Sequence, residues 1–95
     1  MATLFFTPFI ERTVPCPPLE VFGNTVREVL EAYFAKHAHA RSCLLDEQGC
    51  LRPRLGCSVD GTFVADRVGL SDPVHAHARV CVFHMPLDIE YEIMH

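Results

Sequence analysis

The stretch NTVREVLEAYFAKHAHA, residues 24–40, decides how the chain is built. Thr25 precedes Glu28 by three positions, a capping-box pattern in which a hydroxyl and a carboxylate satisfy backbone amides that a helix start leaves unpaired. Beyond it Val26, Val29, Leu30, Tyr33 and Phe34 recur at the i, i+3, i+4, i+7, i+8 spacing of one apolar stripe. The pattern predicts an amphipathic helix over residues 25–39. A single stripe is buried only by packing on another layer, so the rest of the chain must supply one.

The flanks read as strands. TLFFTPFI (3–10) and PPLEVF (17–22) are short, Phe- and Val-rich runs separated by a polar, proline-containing segment, which predicts a β-hairpin. After the helix, Gln48-Gly49 marks a turn, and in LGCSVDGTFV (55–64) Leu55, Cys57 and Val59 alternate with Gly56, Ser58 and Asp60. That alternation is a half-buried strand running into an Asp-Gly turn. Residues 65–78 lack a sustained period and form a long connection, and RVCVF (79–83) reads as a strand buried on both faces. The expected order is β-β-α-β-β(short)-β, an α+β domain with one main helix on a mixed sheet and the other sheet face left for a partner.

Bulk properties agree and exclude several function classes. A chain of 95 residues buries roughly 65% of its unfolded surface, enough for one core. With 8 Lys and Arg against 12 Asp and Glu, the net charge is −4, which gives no basic face for nucleic acid. No apolar run approaches the roughly 20 residues that span a bilayer, and MATLFFTPFIER lacks the basic start of a secretory signal, so a cytoplasmic protein without membrane contact is expected. Cysteines at 16, 43, 50, 57 and 81 form no CxxC pair and read as reduced thiols.

VFGNTVREVLEAYFAKHAHARSCLLDEQGCLRPRLGCSVDG (21–61) and GLSDPVHAHARVCVF (69–83) resemble the ubiquitin-like β-grasp sulfur carriers of the MoaD/ThiS group. The likeness is carried by Gly23 ahead of Thr25–Leu30, by Leu44-Leu45-Asp46-Glu47 with Gly49, Leu51 and Arg52, by Val59-Asp60-Gly61, and by Leu70 with Asp72. The resemblance implies a ubiquitin-like β-grasp over residues 1–86 and a place in molybdopterin- or thiamine-type cofactor biosynthesis. It also implies partners on the sheet face away from the helix and on the C-terminal segment. The group's chemistry resides in a Gly-Gly terminus that is adenylated and converted to a thiocarboxylate. Here the five glycines, at 23, 49, 56, 61 and 69, are all isolated.

Residues 87–95 form an extension with its own pattern. Leu87, Ile89, Tyr91 and Ile93 alternate with Asp88, Glu90 and Glu92, the period of a strand. An added strand or tail, closing on its own domain or pairing with a partner or second copy, is expected. Its acidic residues discourage uncontrolled edge pairing.

Two further constellations carry residues capable of chemistry. HAHARSC (37–43) and HAHARVC (75–81) match at six of seven positions and carry nitrogen and sulfur ligands of the kind zinc or copper takes. His37 and His39 on a helix point nearly opposite ways, and a helix C-terminal cap accounts for them. His75 and His77 suit a solvated loop. No cysteine sits where a helix N-terminus would lower its pKa, since Cys43 follows the helix and Cys57 and Cys81 fall in strands. No catalytic residue, cofactor site or metal site is therefore assigned. The expected function is a non-catalytic protein-interaction module, and the resemblance to the sulfur carriers implies Phe83, Met85, Leu87, Ile89 and Tyr91, on the last strand and tail, as its candidate interface. An atypical sulfur carrier and a metal-binding protein stand as the alternatives.

Overall fold

The computed structural model describes residues 1–8, 10 and 17–84. Thr25 caps the main helix, α1 (Val26–Phe34), with extended backbone, and its side chain accepts the Glu28 amide at 3.2 Å. The Glu28 carboxylate reaches back one residue further than a standard capping box, to the Asn24 amide at 3.0 Å. The next two orphan amides are satisfied from across the molecule: Val26 N–H donates to the Asp72 carbonyl and Arg27 N–H to the Leu70 carbonyl. The long connection 65–78 is thus fastened across the start of the helix, where Leu70 is buried with a positive φ of 55°.

α1 stops five residues before the predicted end. The Lys36 and His37 amides both return to the Tyr33 carbonyl, and the chain passes through a 3-10 turn (Ala38–Ala40) into a short helix, α2 (Arg41–Leu44). The reason lies in the stripe, whose next positions hold His37 and Ala38. A straight continuation has little apolar surface to bury there, whereas the break brings Ala40, Leu44 and Leu45 into the core.

Among the described residues five strands form one mixed sheet in the order β2-β1-β5-β3-β4. β1 (Ala2–Phe6) pairs antiparallel with β2 (Leu19–Val21), as the predicted hairpin requires, and parallel with β5 (Arg79–His84). β3 (Leu55–Val59) pairs antiparallel with β5 on one side and with β4 (Thr62–Phe63) on the other. The β3–β4 turn is Asp60-Gly61 with φ of 51° and 84°, the two positive values that a type I′ hairpin demands. The Gln48-Gly49 turn is also present, with Gly49 at φ 80°. A parallel pair of first and last strands, flanked by hairpins and crossed by one helix, is the expected ubiquitin-like β-grasp.

The core lies between α1 and one face of the sheet. Val26, Val29, Leu30 and Tyr33 of α1 meet Ala2, Leu4 and Phe6 of β1 and Val80 and Val82 of β5, all at most 4% exposed. Each such aliphatic side chain taken fully out of water contributes roughly 1.5–3 kcal/mol. Tyr33 places its hydroxyl on the Pro17 carbonyl at 2.9 Å, so its burial leaves no polar atom stranded.

Two burial expectations are corrected. β5 is buried on one face only, because no described element covers Arg79, Cys81 and Phe83 on the other. β3 is more buried than its alternation implied, since Gly56 and Ser58 lie beneath neighbouring side chains. The extension 87–95 and the boundary at 86 lie outside the described residues, as does Cys16.

The connection that holds the helix start is itself held by two aspartates. Asp72 accepts the Ala65 and Asp66 amides, and Asp66 accepts the Val68, Gly69 and Ser71 amides together with the Ser71 hydroxyl. The Ser71 hydroxyl first, and then the Gly69 amide, hold the Asp66 carboxyl down at about 2. Because the folded value lies below the unfolded one of roughly 4, this stabilisation is complete above that pH and is lost as the pH falls through the folded value. Urea unfolding should show a falling midpoint from roughly pH 4 to 2, with Asp66→Asn lowering the neutral midpoint and flattening that fall. An unchanged pH profile in the variant would contradict this role.

Candidate functional site

The period of two along β5 turns Arg79, Cys81 and Phe83 away from α1. Register then assembles the rest of this outer face: Thr3 and Phe5 lie opposite Arg79 and Cys81, Gly56 and Ser58 lie opposite Phe83 and Cys81, and Phe63 of β4 lies opposite Ser58. Three phenylalanines thus share one side of the sheet. Phe63 is 73% exposed, an unusual position for a large ring unless something binds it.

Gly56 explains how Phe83 lies. A Cβ at Gly56 would come within 2.3 Å of the Phe83 ring, so the ring rests directly on glycine backbone. Phe63 packs beside it with ring centroids 5.5 Å apart at 38°. Across the strand the Arg79 guanidinium sits 4.8 Å from the Phe5 ring centroid, a cation–π contact. Between the rings and the 53–67 segment runs a groove of about 480 Å³, lined by Pro53, Gly56, Phe63, Val64, Arg67 and Phe83.

The electrostatics of this face are one-sided. Arg79 stands in its middle, and Arg67 in the groove donates to the Leu55 and Arg52 carbonyls at 2.6 and 3.0 Å, which leaves its charge without a carboxylate among the described residues. Arg54, exposed beside Pro53, has no partner among the described residues. The acidic residue of the outward set is Glu20, at the opposite edge of the sheet. The surface is apolar and basic on a chain whose net charge is −4.

Thiol chemistry has little support here. Burial pushes Cys57 up to about 12, with the neighbouring Cys81 and Asp72 adding and Arg67 opposing, and burial also raises Cys81. Both stay protonated near neutral pH. Cys43 is exposed on α2 and Cys50 half-buried.

The histidine clusters diverge from expectation. The break after α1 brings the His37 and His39 rings to 6.1 Å rather than to opposite sides, with His37 also stacked 4.8 Å from Tyr33. His75 is occupied at both nitrogens, Nε2 lying 2.5 Å from Asp60 Oδ2 and Nδ1 accepting the His77 amide. Asp60 also accepts the Arg79 amide, and the Arg79 amide first and His75 second lower its pKa. Among the described residues no group of three or more His, Cys, Asp or Glu side chains converges as a metal would need.

Of the residues singled out from sequence, Phe83 lies in this outer face, and Met85, Leu87, Ile89 and Tyr91 lie outside the described residues. Phe5, Phe63, Gly56 and Arg79 were missed as members of the site. An isolated glycine inside a strand pattern was the available signal, because it marks close approach by another group.

Several solved structures share this fold. CysO of Mycobacterium tuberculosis, described as an antigen, superposes with a TM-score of 0.75 at 19% identity, over 90% of this chain and 100% of its own. CysO in the BexX/CysO complex of Amycolatopsis orientalis is similar at 0.75 and 23%, over 90% and 97%. Small archaeal modifier protein 1 (SAMP1) of Haloferax volcanii is similar at 0.71 and 17%, over 90% and 94%. No protein-family model matches the sequence and no curated protein matches it. The ubiquitin-like β-grasp read from the sequence is thus the fold these proteins share. No helix among the described residues is long and apolar enough to cross a membrane.

The seating of Phe83 on Gly56 is directly testable. Gly56→Ala should lift the ring, change the aromatic NMR shifts of Phe83 and Phe63, and cost on the order of 1 kcal/mol. Adding Phe83→Ala should cost less in that background than in the wild type. Equal costs would show that the two positions do not touch.

Proposed function

We propose that this chain is a non-catalytic protein-interaction module related to the sulfur carriers, acting in the cytoplasm and binding a protein partner or a second copy through the outer face. The observation that carries this reading is the aromatic surface of Phe5, Phe63 and Phe83, which no described element covers, with its basic surround. Phe83 is its described anchor, and Met85, Leu87, Ile89 and Tyr91 extend it beyond the last strand. A neighbour of the same fold was crystallised with a protein partner, which supports protein binding as the use of such a domain.

Residues 85–95 read MPLDIEYEIMH, in which apolar and acidic residues alternate, a composition that suits binding to an apolar, basic surface. The similarity in fold to CysO keeps an atypical sulfur carrier as the second reading.

Native mass spectrometry of the protein purified from its own cells without chelator separates the readings. An unmodified chain held with a protein partner or a second copy is expected, and the complex should be lost in Phe63→Glu and in Ile89→Asp/Tyr91→Asp. A chain carrying added sulfur, or a stoichiometric metal, would overturn the interaction-module reading.

A further inference from the structure

Phe63 offers more than its ring. β4 ends the sheet on its side among the described residues, so one of its edges is open there. Val64 donates its amide to the Cys57 carbonyl at 2.9 Å, and bonded and non-bonded pairs alternate along an antiparallel ladder. Phe63, one residue back and opposite Ser58, therefore sits in a non-bonded pair, and its own amide and carbonyl face away from β3. One residue thus presents a passing strand with a backbone donor, a backbone acceptor and an exposed aromatic side chain.

The groove beside that edge sets which side chains such a strand must carry. Its volume of about 480 Å³ admits one or two large side chains, and Phe63, Phe83, Pro53 and Val64 make the space apolar. The ionic group lining it is Arg67, which spends Nη2 on the Leu55 and Arg52 carbonyls and keeps Nε and Nη1 without a described partner. Arg54 stands exposed beside Pro53. Two copies paired face to face would set each patch against itself, arginines near arginines, so the charge of the site favours a different chain. We infer that the groove and the free edge of β4 bind an extended, acidic segment of another protein. That segment adds to β4 through the Phe63 amide and carbonyl, seats a large apolar side chain on the Phe63 and Phe83 rings, and turns carboxylates toward Arg54 and Arg67.

The inference rests on the reading of the outer face as a binding surface, and it adds the form and the charge of the partner.

The test selects random linear peptides displayed on phage against the full chain, with the Phe63→Glu chain as counter-selection. Enriched peptides should combine an aromatic or aliphatic residue with Asp or Glu and lack Lys and Arg. A synthetic copy of an enriched peptide should slow hydrogen exchange at the Phe63 amide. It should bind Arg54→Glu on the order of tenfold more weakly, the scale of one charged contact, and that substitution removes no contact of the described fold. No enrichment over the Phe63→Glu chain, or enriched peptides without acidic residues, overturns the proposal. So does a bound peptide that leaves the Phe63 amide unprotected. A Phe63-dependent dimer that the peptides cannot enter would give the groove to a second copy and overturn it as well. Any of these results with the native complex still lost in Phe63→Glu leaves the outer face as a binding surface, whereas a native complex indifferent to Phe63→Glu removes both.

Discussion

The structure depends on burying one apolar stripe of one helix against one face of the sheet. Val26, Val29, Leu30 and Tyr33 are each at most 1% exposed, and β1 and β5 supply the surface that covers them. The start of that helix is completed by remote groups, since the carbonyls of Leu70 and Asp72 take the first two amides. The two-aspartate loop and the cap are therefore one device: the loop is ordered by Asp66 and Asp72, and the ordered loop ends the helix without unpaired donors. Arg27 ties the same region together by donating to the carbonyls of Gly49, Val68 and Gly69.

Among the described residues one main helix covers one face of a five-stranded sheet. The other face has to be polar, occupied, or intended for binding. Here it is aromatic, with Phe83 seated on Gly56 and Phe63 beside it, and its ionic groups are mainly arginines. A polar outward set would have cost nothing to the core, because these positions point away from α1. The proposed binding role gives the aromatic choice a reason, and Cys57 and Cys81, whose thiols burial raises in pKa, stand apart from it.

Signals that are local in sequence were legible. The Thr25 cap, the stripe from Val26 to Phe34, the Asp60-Gly61 and Gln48-Gly49 turns and the order of elements along the chain each follow from chemistry within a few residues. What depended on distant partners was not. The helix breaks after Phe34 because Ala40, Leu44 and Leu45 gain burial, and Gly56 and Ser58 are covered by groups from β4 and β5. Arg79 and Phe5 meet only because β1 and β5 are parallel neighbours, a fact that neither segment carries alone. Phe83 was singled out through the resemblance to the sulfur carriers, not through a pattern in the last strand, which read as buried on both faces. Its companions Phe63 and Gly56 required the β3–β4–β5 register.

The central claim is that the face opposite α1 is where this protein meets other proteins. Hydrogen–deuterium exchange, comparing the free chain with the complex isolated from its own cells, tests it most directly. The account predicts slowed exchange confined to the amides of residues 55–63 and 79–84 and to the segment after them, with α1 unchanged. Protection centred on α1 and α2, with the outer strands exchanging as in the free chain, would contradict it.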